Sequence, residues 1–146
     1  MPSTYACLYY HIIFSTKDRL PWIERDLIER LHAYIGGCLN ALDSIPIAVG
    51  GVSDHVHLLV RSDPTQNISS LMRSVKRESS CWMKENKQDG LFSWQEGYGA
   101  FSVSPNTVED VRNYILNQEE HHRNRSFEEE FQSILRKAGV TSSNIS

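Results

Sequence analysis

The chain has 146 residues, of which 40% are hydrophobic and 23% charged, as in an ordinary globular protein with one core. Its formal net charge of −3 provides no overall attraction to nucleic acid, so any DNA contact must come from local basic patches. The three cysteines include no Cys-x-x-Cys pair, and no stretch approaches the roughly 18 to 20 apolar residues that cross a bilayer. We therefore expect a soluble cytoplasmic protein with reduced thiols and no membrane partner.

Hydrophobic spacing predicts strands and helices in the order βαββαβ, followed by two further helices. Strands are predicted where β-branched and aromatic residues cluster or alternate, and helices where apolar residues recur every three or four positions. Gly50-Gly51 separates the second and third strands and predicts the turn of a hairpin. The predicted strands are residues 5–15, 45–49, 52–60 and 100–104, and the predicted helices are residues 23–42, 68–83, 107–123 and 126–137.

This order is typical of the α+β class and of the ferredoxin-like or RRM-like fold, an antiparallel sheet backed by helices. The helix that carries Tyr114 is then a C-terminal addition to the βαββαβ unit. Residues 1–140 are predicted to form one domain, and residues 141–146 a disordered polar tail. Because this fold hosts many activities, function has to be inferred from particular side chains.

His55 and His57 form a His-x-His motif in the third predicted strand. Side chains alternate across a strand, so both imidazoles project from one face while Val56 projects from the other. Residues two apart on a strand are separated by about 6 to 7 Å, near enough to bind one ion. Two ligands leave room for a third protein group, water and substrate, as in an open catalytic site. The alternative is a pair of half-buried histidines that only make hydrogen bonds.

Tyr114 and Gln118 are four residues apart in the third predicted helix and therefore share a face. The apolar stripe of this helix consists of Val108, Val111 and Ile115, and Tyr114 lies about 100° or more away from it. A tyrosine turned from the core is available for chemistry, and an amide oxygen one turn on can bind a cation. A nearby cation would also favour the phenolate, the reactive form of a phenol. The alternative is an exposed pair without a function.

The sequence does not decide the roles of Asp54, His121 and His122. Asp54 either orients one imidazole as a hydrogen-bond acceptor or is only a turn residue. His121 and His122 lie about one turn beyond Gln118, where a solvated helix end is favoured over a ligand role.

Taken together, these motifs resemble the single-tyrosine HUH transposases of small bacterial insertion sequences, where HUH denotes histidine–hydrophobic–histidine. A His-x-His pair alone does not identify a family, but its combination with a Tyr-x-x-x-Gln helix in this order is specific. The resemblance covers most of the chain. It is carried by residues 10–16 (YHIIFST), 51–60 (GVSDHVHLLV), 94–104 (WQEGYGAFSVS) and 111–122 (VRNYILNQEEHH).

The resemblance implies a mechanism for residues 1–140 as a single catalytic domain. His55, His57 and Gln118 would hold Mg²⁺ or Mn²⁺ against a phosphate of single-stranded DNA, and Tyr114 would attack the phosphorus. A 5′-phosphotyrosine and a free 3′-hydroxyl would result, and the hydroxyl could later rejoin strands. The resemblance also implies recognition of DNA hairpins at the ends of the element, and a homodimer in which one tyrosine helix can complete the other subunit's site.

Two basic regions are candidates for contacts with DNA phosphates. Residues 64–88 hold five basic and two acidic residues, mainly in the second predicted helix, and could contact phosphates. The alternative is a basic helix face that is only exposed to solvent. The acidic run at residues 128–130 argues against DNA near the last helix. The candidates are Lys17 and Arg19, after the first strand, and Arg73, Lys76 and Arg77 in the second helix.

Three other functions remain open at this point. A non-catalytic RNA- or DNA-binding module on the same sheet would need no tyrosine beside the histidines. A metal-dependent hydrolase using His55 and His57 with a water nucleophile would leave no covalent adduct. A domesticated relative that cuts host repeats would keep the same catalytic residues without mobilising an element.

Overall fold

Four antiparallel strands form one sheet in the order β2-β3-β1-β4. A computed structural model describes residues 4–122 and 125–140 of the chain, so the predicted tail at 141–146 lies outside the described residues. The order of strands and helices is the ferredoxin-like arrangement, and the predicted fold class is confirmed. The strands are β1 (Leu8–Ser15), β2 (Ile45–Val52), β3 (His55–Ser62) and β4 (Gly99–Val103).

The helices lie on both faces of the sheet. The main core is on the face where Val56, Leu58 and Val60 of β3 pack against the two long helices α1 and α2. On the opposite face, Leu59 packs against Ile115 of α3. None of the described helices is both long and apolar enough to span a bilayer. The helices are α1 (Arg25–Ala41), α2 (Ile68–Asn86), α3 (Val108–Leu116), α4 (Gln118–His121) and α5 (Phe127–Ala138).

The β2–β3 hairpin turns at Ser53-Asp54, so the turn predicted at Gly50-Gly51 is wrong. Both glycines lie inside β2 and are paired with β3. A Cβ added to Gly50 would lie 2.2 Å from the carbonyl oxygen of Ile115. The glycine is therefore explained by the close approach of α3 to the sheet, a role that the sequence alone does not distinguish from a turn.

The predicted third helix is interrupted at Asn117, which separates α3 from α4. The side-chain amide of Asn117 donates to the Asn113 carbonyl at 2.7 Å, the acceptor that its backbone N–H would use in a continuous helix. The backbone N–H bonds instead to the Tyr114 carbonyl, three residues back. This break sets the direction of α4 and of Gln118, its first residue. The predicted end of this helix, at residue 123, lies outside the described residues.

Candidate metal and nucleophile centre

His55 and His57 lie on the face of β3 that is opposite the main core. Both imidazoles are fully buried, and β1 places Ser15 and Ile13 beside them in the adjacent strand. Val56, between them, points into the α1/α2 layer. The strand alternation thus brings the two rings together, with their centroids 5.1 Å apart.

The broken helix brings Tyr114 and Gln118 to the same place. The Oε1 atom of Gln118 lies 3.0 Å from Nε2 of His55. The ring of Tyr114 has its centroid 5.9 Å from that of His57. The structure therefore places all four sequence-predicted side chains of the centre together, within a single chain.

Glu130 of α5 is a central residue of this cluster that the sequence reasoning missed. Its Oε1 atom lies 3.1 Å from Nε2 of His57, 3.1 Å from Nε2 of His122 and 3.4 Å from Nε2 of His55. Its Oε2 atom accepts a hydrogen bond from the Tyr114 hydroxyl. Only 1% of Glu130 is exposed, so the last helix closes over the centre.

One sequence expectation about these residues, that for His122, needs correction. Glu130 is the last residue of the acidic run, and it lies on the face of α5 that carries Phe127 and points into the protein. The spacing of three residues from a large apolar side chain was the available signal. His122 is not a solvated helix end, because only 10% of its side chain is exposed and its Nε2 atom also lies 3.1 Å from Oε1 of Gln118.

Each of the three clustered histidines has a separate partner at Nδ1. His55 donates to Oδ1 of Asp54 at 2.7 Å, and His122 donates to the Arg125 carbonyl at 2.7 Å. Nδ1 of His57 lies 2.8 Å from Nε2 of His11, a second residue that the sequence reasoning did not assign. Such partners select the ring tautomer and aim Nε2 at the centre. Asp54 therefore occupies the hairpin turn and also contacts the imidazole.

Burial and hydrogen bonding act against each other at His55 and Glu130. Burial opposes protonation of His55, but hydrogen bonds with Asp54, Glu130 and Gln118 outweigh it and raise its pKa to about 9. Burial also opposes ionisation of Glu130, but its hydrogen bonds to His122, His55 and His57 lower the pKa of the carboxyl well below its usual range. In the protein alone, a charged imidazole therefore balances a charged carboxylate.

The neighbouring groups stay neutral. Burial lowers the pKa of His57 below its ordinary value, and it lowers the pKa of His11 to about 3. Burial raises the pKa of Tyr114 well above that of a free phenol, and the hydrogen bond to the Glu130 carboxylate raises it further. Tyr114 is thus a protonated phenol in the protein alone, and its activation requires a change in the charge around it.

The cluster is compatible with a divalent metal site. Donor atoms of His55, His122 and Glu130 lie within 4.8 Å of one another. Imidazole nitrogens with carboxylate and amide oxygens form a mixed donor set that suits borderline and hard divalent cations. Such a cation would also balance the charge of a buried carboxylate.

The candidate DNA contacts in the second helix lie away from this centre. Arg73, Lys76 and Arg77 belong to α2, which packs on the opposite face of the sheet. Lys76 donates through Nζ to the carbonyls of Gln95 and Gly97, and it therefore holds the loop before β4. Arg77 pairs with Glu78, whereas Arg73 is exposed.

The two candidates after the first strand lie in a short 3₁₀ turn at Lys17–Arg19. Lys17 is exposed. Arg19 forms a salt bridge with Glu128 and lies 5.5 Å from the centre of the Phe127 ring. Since the Phe127 ring is in turn 4.4 Å from the ring of His55, Arg19 lies near the centre.

Comparison with known proteins relates this chain to mobile-element enzymes. A family profile described as "Transposase IS200 like" matches residues 4–118. ISDra2 transposase TnpA of Deinococcus radiodurans is 29% identical over 120 residues, which cover 76% of this chain and 84% of that protein. The transposase for insertion sequence element IS200 of Salmonella typhimurium is 28% identical over 119 residues, 75% of each chain.

Two solved structures have the same fold. A crystal structure of a putative transposase from Deinococcus radiodurans superposes with a TM-score of 0.66 at 23% identity, covering 81% of this chain and 95% of that one. The structure of a REP-associated tyrosine transposase bound to a REP hairpin superposes with a TM-score of 0.55 at 14% identity, covering 79% of this chain and 67% of the other.

Proposed function

The chain belongs to the IS200-like transposase family and is an enzyme, and on that premise we propose that it cuts and rejoins single-stranded DNA with Tyr114 as nucleophile. One observation carries this proposal. The hydroxyl of Tyr114 lies in the same buried centre as His55 and His57, bonded to the carboxylate that contacts them. Because these residues come from one chain, we propose that Tyr114 acts in its own subunit's site.

In the proposed step, Oη of Tyr114 attacks the phosphorus of a phosphodiester. The new Oη–P bond replaces the bond from phosphorus to the 3′ oxygen, which leaves and takes up a proton from solvent. The phenolic proton is released to solvent, while the carboxylate that accepts the hydrogen bond of the hydroxyl holds Oη in place. The product is a 5′-phosphotyrosine with a free 3′-hydroxyl, and attack by a 3′-hydroxyl on that linkage reverses the exchange without an external energy source.

Side chains of the centre would bind Mg²⁺ or Mn²⁺. His55, His57 and Gln118 are the proposed ligands, and Asp54 holds His55 in the tautomer with Nε2 directed inwards. A bound ion would polarise the phosphodiester and neutralise the charge that develops on it. A bound cation would also offset the carboxylate charge that helps to raise the pKa of Tyr114, and so would favour the phenolate.

A cavity beside Tyr114 supports access by a nucleic-acid strand. It has a volume of about 430 Å³ and lies between α3 and α5. Its lining includes Arg125 and Lys137, which carry positive charge, and His121, whose ring lies 4.4 Å from that of Tyr114. Cations and aromatic rings are the groups that bind the phosphates and unstacked bases of single strands. We therefore propose that the scissile strand enters here. The acidic run of the last helix does not oppose this, since Glu130 is buried and Glu128 is paired with Arg19.

The partners expected from the sequence remain proposals. A relative in fold is bound to a REP hairpin, and we propose that hairpins at element ends direct this enzyme to its cleavage site. The strand order leaves β2 and β4 at the edges of the sheet, where a second copy can pair. On that basis we propose a homodimer. Light scattering of the purified protein measures its molar mass and so its oligomeric state.

The proposed function is tested with labelled single-stranded DNA that contains the hairpin flanking the gene. Wild-type protein, Tyr114→Phe and Tyr34→Phe are incubated with Mg²⁺, Mn²⁺ or EDTA, and products are separated on a denaturing gel. Tyr34 is a matched control, because it lies on α1 across the sheet and stacks on Trp82. We expect a covalent adduct with wild type and Tyr34→Phe, and none with Tyr114→Phe or with EDTA.

Other outcomes would replace the proposal with a different function. Cleavage without an adduct, unchanged in Tyr114→Phe, would indicate a hydrolase with a water nucleophile. Binding without cleavage in either metal would indicate a recognition module.

A further inference from the structure

Glu130 contacts both halves of the centre through different oxygens. Oε1 faces the Nε2 atoms of His55, His57 and His122, and Oε2 accepts the hydrogen bond of the Tyr114 hydroxyl. The carboxylate comes from α5, whereas the family profile matches only residues 4–118. Glu130 is therefore additional to the ligands and nucleophile that the family resemblance implies.

The distances around Oε1 are those expected between ligands of one ion. Ligands about 2.1 Å from an ion are about 3.0 Å apart at adjacent octahedral positions and about 3.4 Å apart in a tetrahedron. Oε1 of Glu130 lies 3.1, 3.1 and 3.4 Å from the three Nε2 atoms. Oε1 of Gln118 lies 3.0 Å from Nε2 of His55 and 3.1 Å from Nε2 of His122. The donor atoms thus have the spacing of a coordination shell.

The tautomers of the histidines support the same conclusion. His55 and His122 donate through Nδ1 to a carboxylate and a carbonyl, groups that only accept hydrogen bonds. In a neutral imidazole, Nε2 then carries a lone pair that is directed at Oε1 of Glu130. Lone pairs that face a carboxylate oxygen are stabilised only by a proton or a cation between them. A divalent cation can satisfy all of these donors together.

We propose that Glu130 is a ligand of the ion bound at this centre through Oε1 and a positioning residue for Tyr114 through Oε2. One carboxylate from the last helix then joins the metal site to the nucleophile, with His122 as a neighbouring donor. Ion binding and tyrosine orientation are coupled as a result. The role of Tyr114 in this inference rests on the proposed function, whereas the ligand role of Glu130 does not.

The test compares Glu130→Gln, Glu130→Asp and Glu129→Gln with the wild type. Glu129 is the matched control, because it is exposed on the same helix. Calorimetric titration with MnCl₂ alone measures ion affinity, thermal melting checks folding, and adduct formation at saturating Mn²⁺ measures the rate. DNA affinity is measured separately, so that a loss of rate is distinguished from a loss of binding.

We expect Glu130→Gln to weaken Mn²⁺ binding about tenfold or more and to lower the adduct rate at saturating Mn²⁺, with DNA affinity unchanged. Glu130→Asp, which retains the charge, should recover part of both, and Glu129→Gln should match the wild type. If Glu130→Gln binds Mn²⁺ as tightly as the wild type, or forms the adduct faster, Glu130 blocks the centre and the inference is overturned.

The same data separate failure of this inference from failure of the proposed function. A wild-type protein that forms no adduct with any hairpin DNA would overturn Tyr114 as nucleophile. The Mn²⁺ titration would still decide whether Glu130 is a ligand.

Discussion

Oε1 of Gln118 lies 3.0 Å from Nε2 of His55, although 63 residues separate them in the chain. The amide is held from its other end, where Nε2 lies 3.4 Å from the Tyr114 carbonyl. Gln118 is also only 1% exposed, so its oxygen has little access to water. This contact joins the start of α4 to β3, and it is the geometry that an oxygen ligand beside an imidazole requires.

Replacement of Gln118 by alanine tests this contact. Because the variant loses one neutral oxygen donor and retains the histidines, we expect its affinity for Mn²⁺ to fall about tenfold or more. Titration calorimetry with MnCl₂ is the measurement. Gln132→Ala is the control, since Gln132 is exposed on α5 and bonds to Glu128. An affinity equal to that of the wild type would exclude Gln118 from the ion site.

The parts of the site that follow local periodicity could be predicted from the sequence. Alternation along a strand places His55 and His57 on one face. The four-residue spacing predicted that Tyr114 and Gln118 lie together, and they do, although Asn117 divides the predicted helix into α3 and α4. The order of strands and helices predicted the ferredoxin-like fold for the same reason. Each of these inferences needs only the geometry of one element.

Glu130 and His11 could not be predicted in this way, because their roles depend on how distant elements pack. Glu130 follows two other glutamates, and its spacing from Phe127 indicates a shared helix face but not which residues that face contacts. Nε2 of His11 contacts Nδ1 of His57 through the pairing of β1 with β3, 46 residues along the chain. Sequence composition records the presence of such groups but not their tertiary neighbours.

The basic residues illustrate the same limit. Lys76 belongs to a local excess of positive charge in the sequence. In the structure, its ammonium group donates hydrogen bonds to two loop carbonyls. Arg19 is likewise paired with Glu128. Charge counts do not show whether a cation is already engaged within the protein, so the DNA contacts of these residues stay predictions.

Gly50 sets the distance between α3 and the sheet, which gives a second prediction. In Gly50→Ala, the added Cβ would lie 2.2 Å from the Ile115 carbonyl oxygen, so the backbone of α3 must shift. We expect a loss of about 1–3 kcal/mol of unfolding free energy. We also expect an adduct rate at least about tenfold lower, because Tyr114 moves with the helix.

The control for this variant is Gly37→Ala in α1, where no heavy atom lies within 4 Å of the added Cβ. Alanine at an exposed helical position should raise stability by about 0.5–1 kcal/mol and leave the adduct rate unchanged. Urea denaturation and the gel assay measure both quantities. Equal stability and rate for Gly50→Ala and the wild type would show that the α3 contact is not required.

His32 gives a prediction for the pH dependence of stability that is independent of the metal centre. Within residues 4–122 and 125–140, its Nε2 is the buried side-chain atom without a hydrogen-bond partner, and burial lowers its pKa from 6.5 to about 4. The neutral form is therefore favoured by folding, so the associated stability is complete above pH 6.5 and declines as the pH falls towards 4. Between pH 7.5 and pH 5, we expect this group to cost the wild type about 2 kcal/mol of unfolding free energy, a loss that His32→Leu should not show. Urea denaturation of both proteins at the two pH values measures the difference, and an equal loss in the variant would exclude His32 as its source.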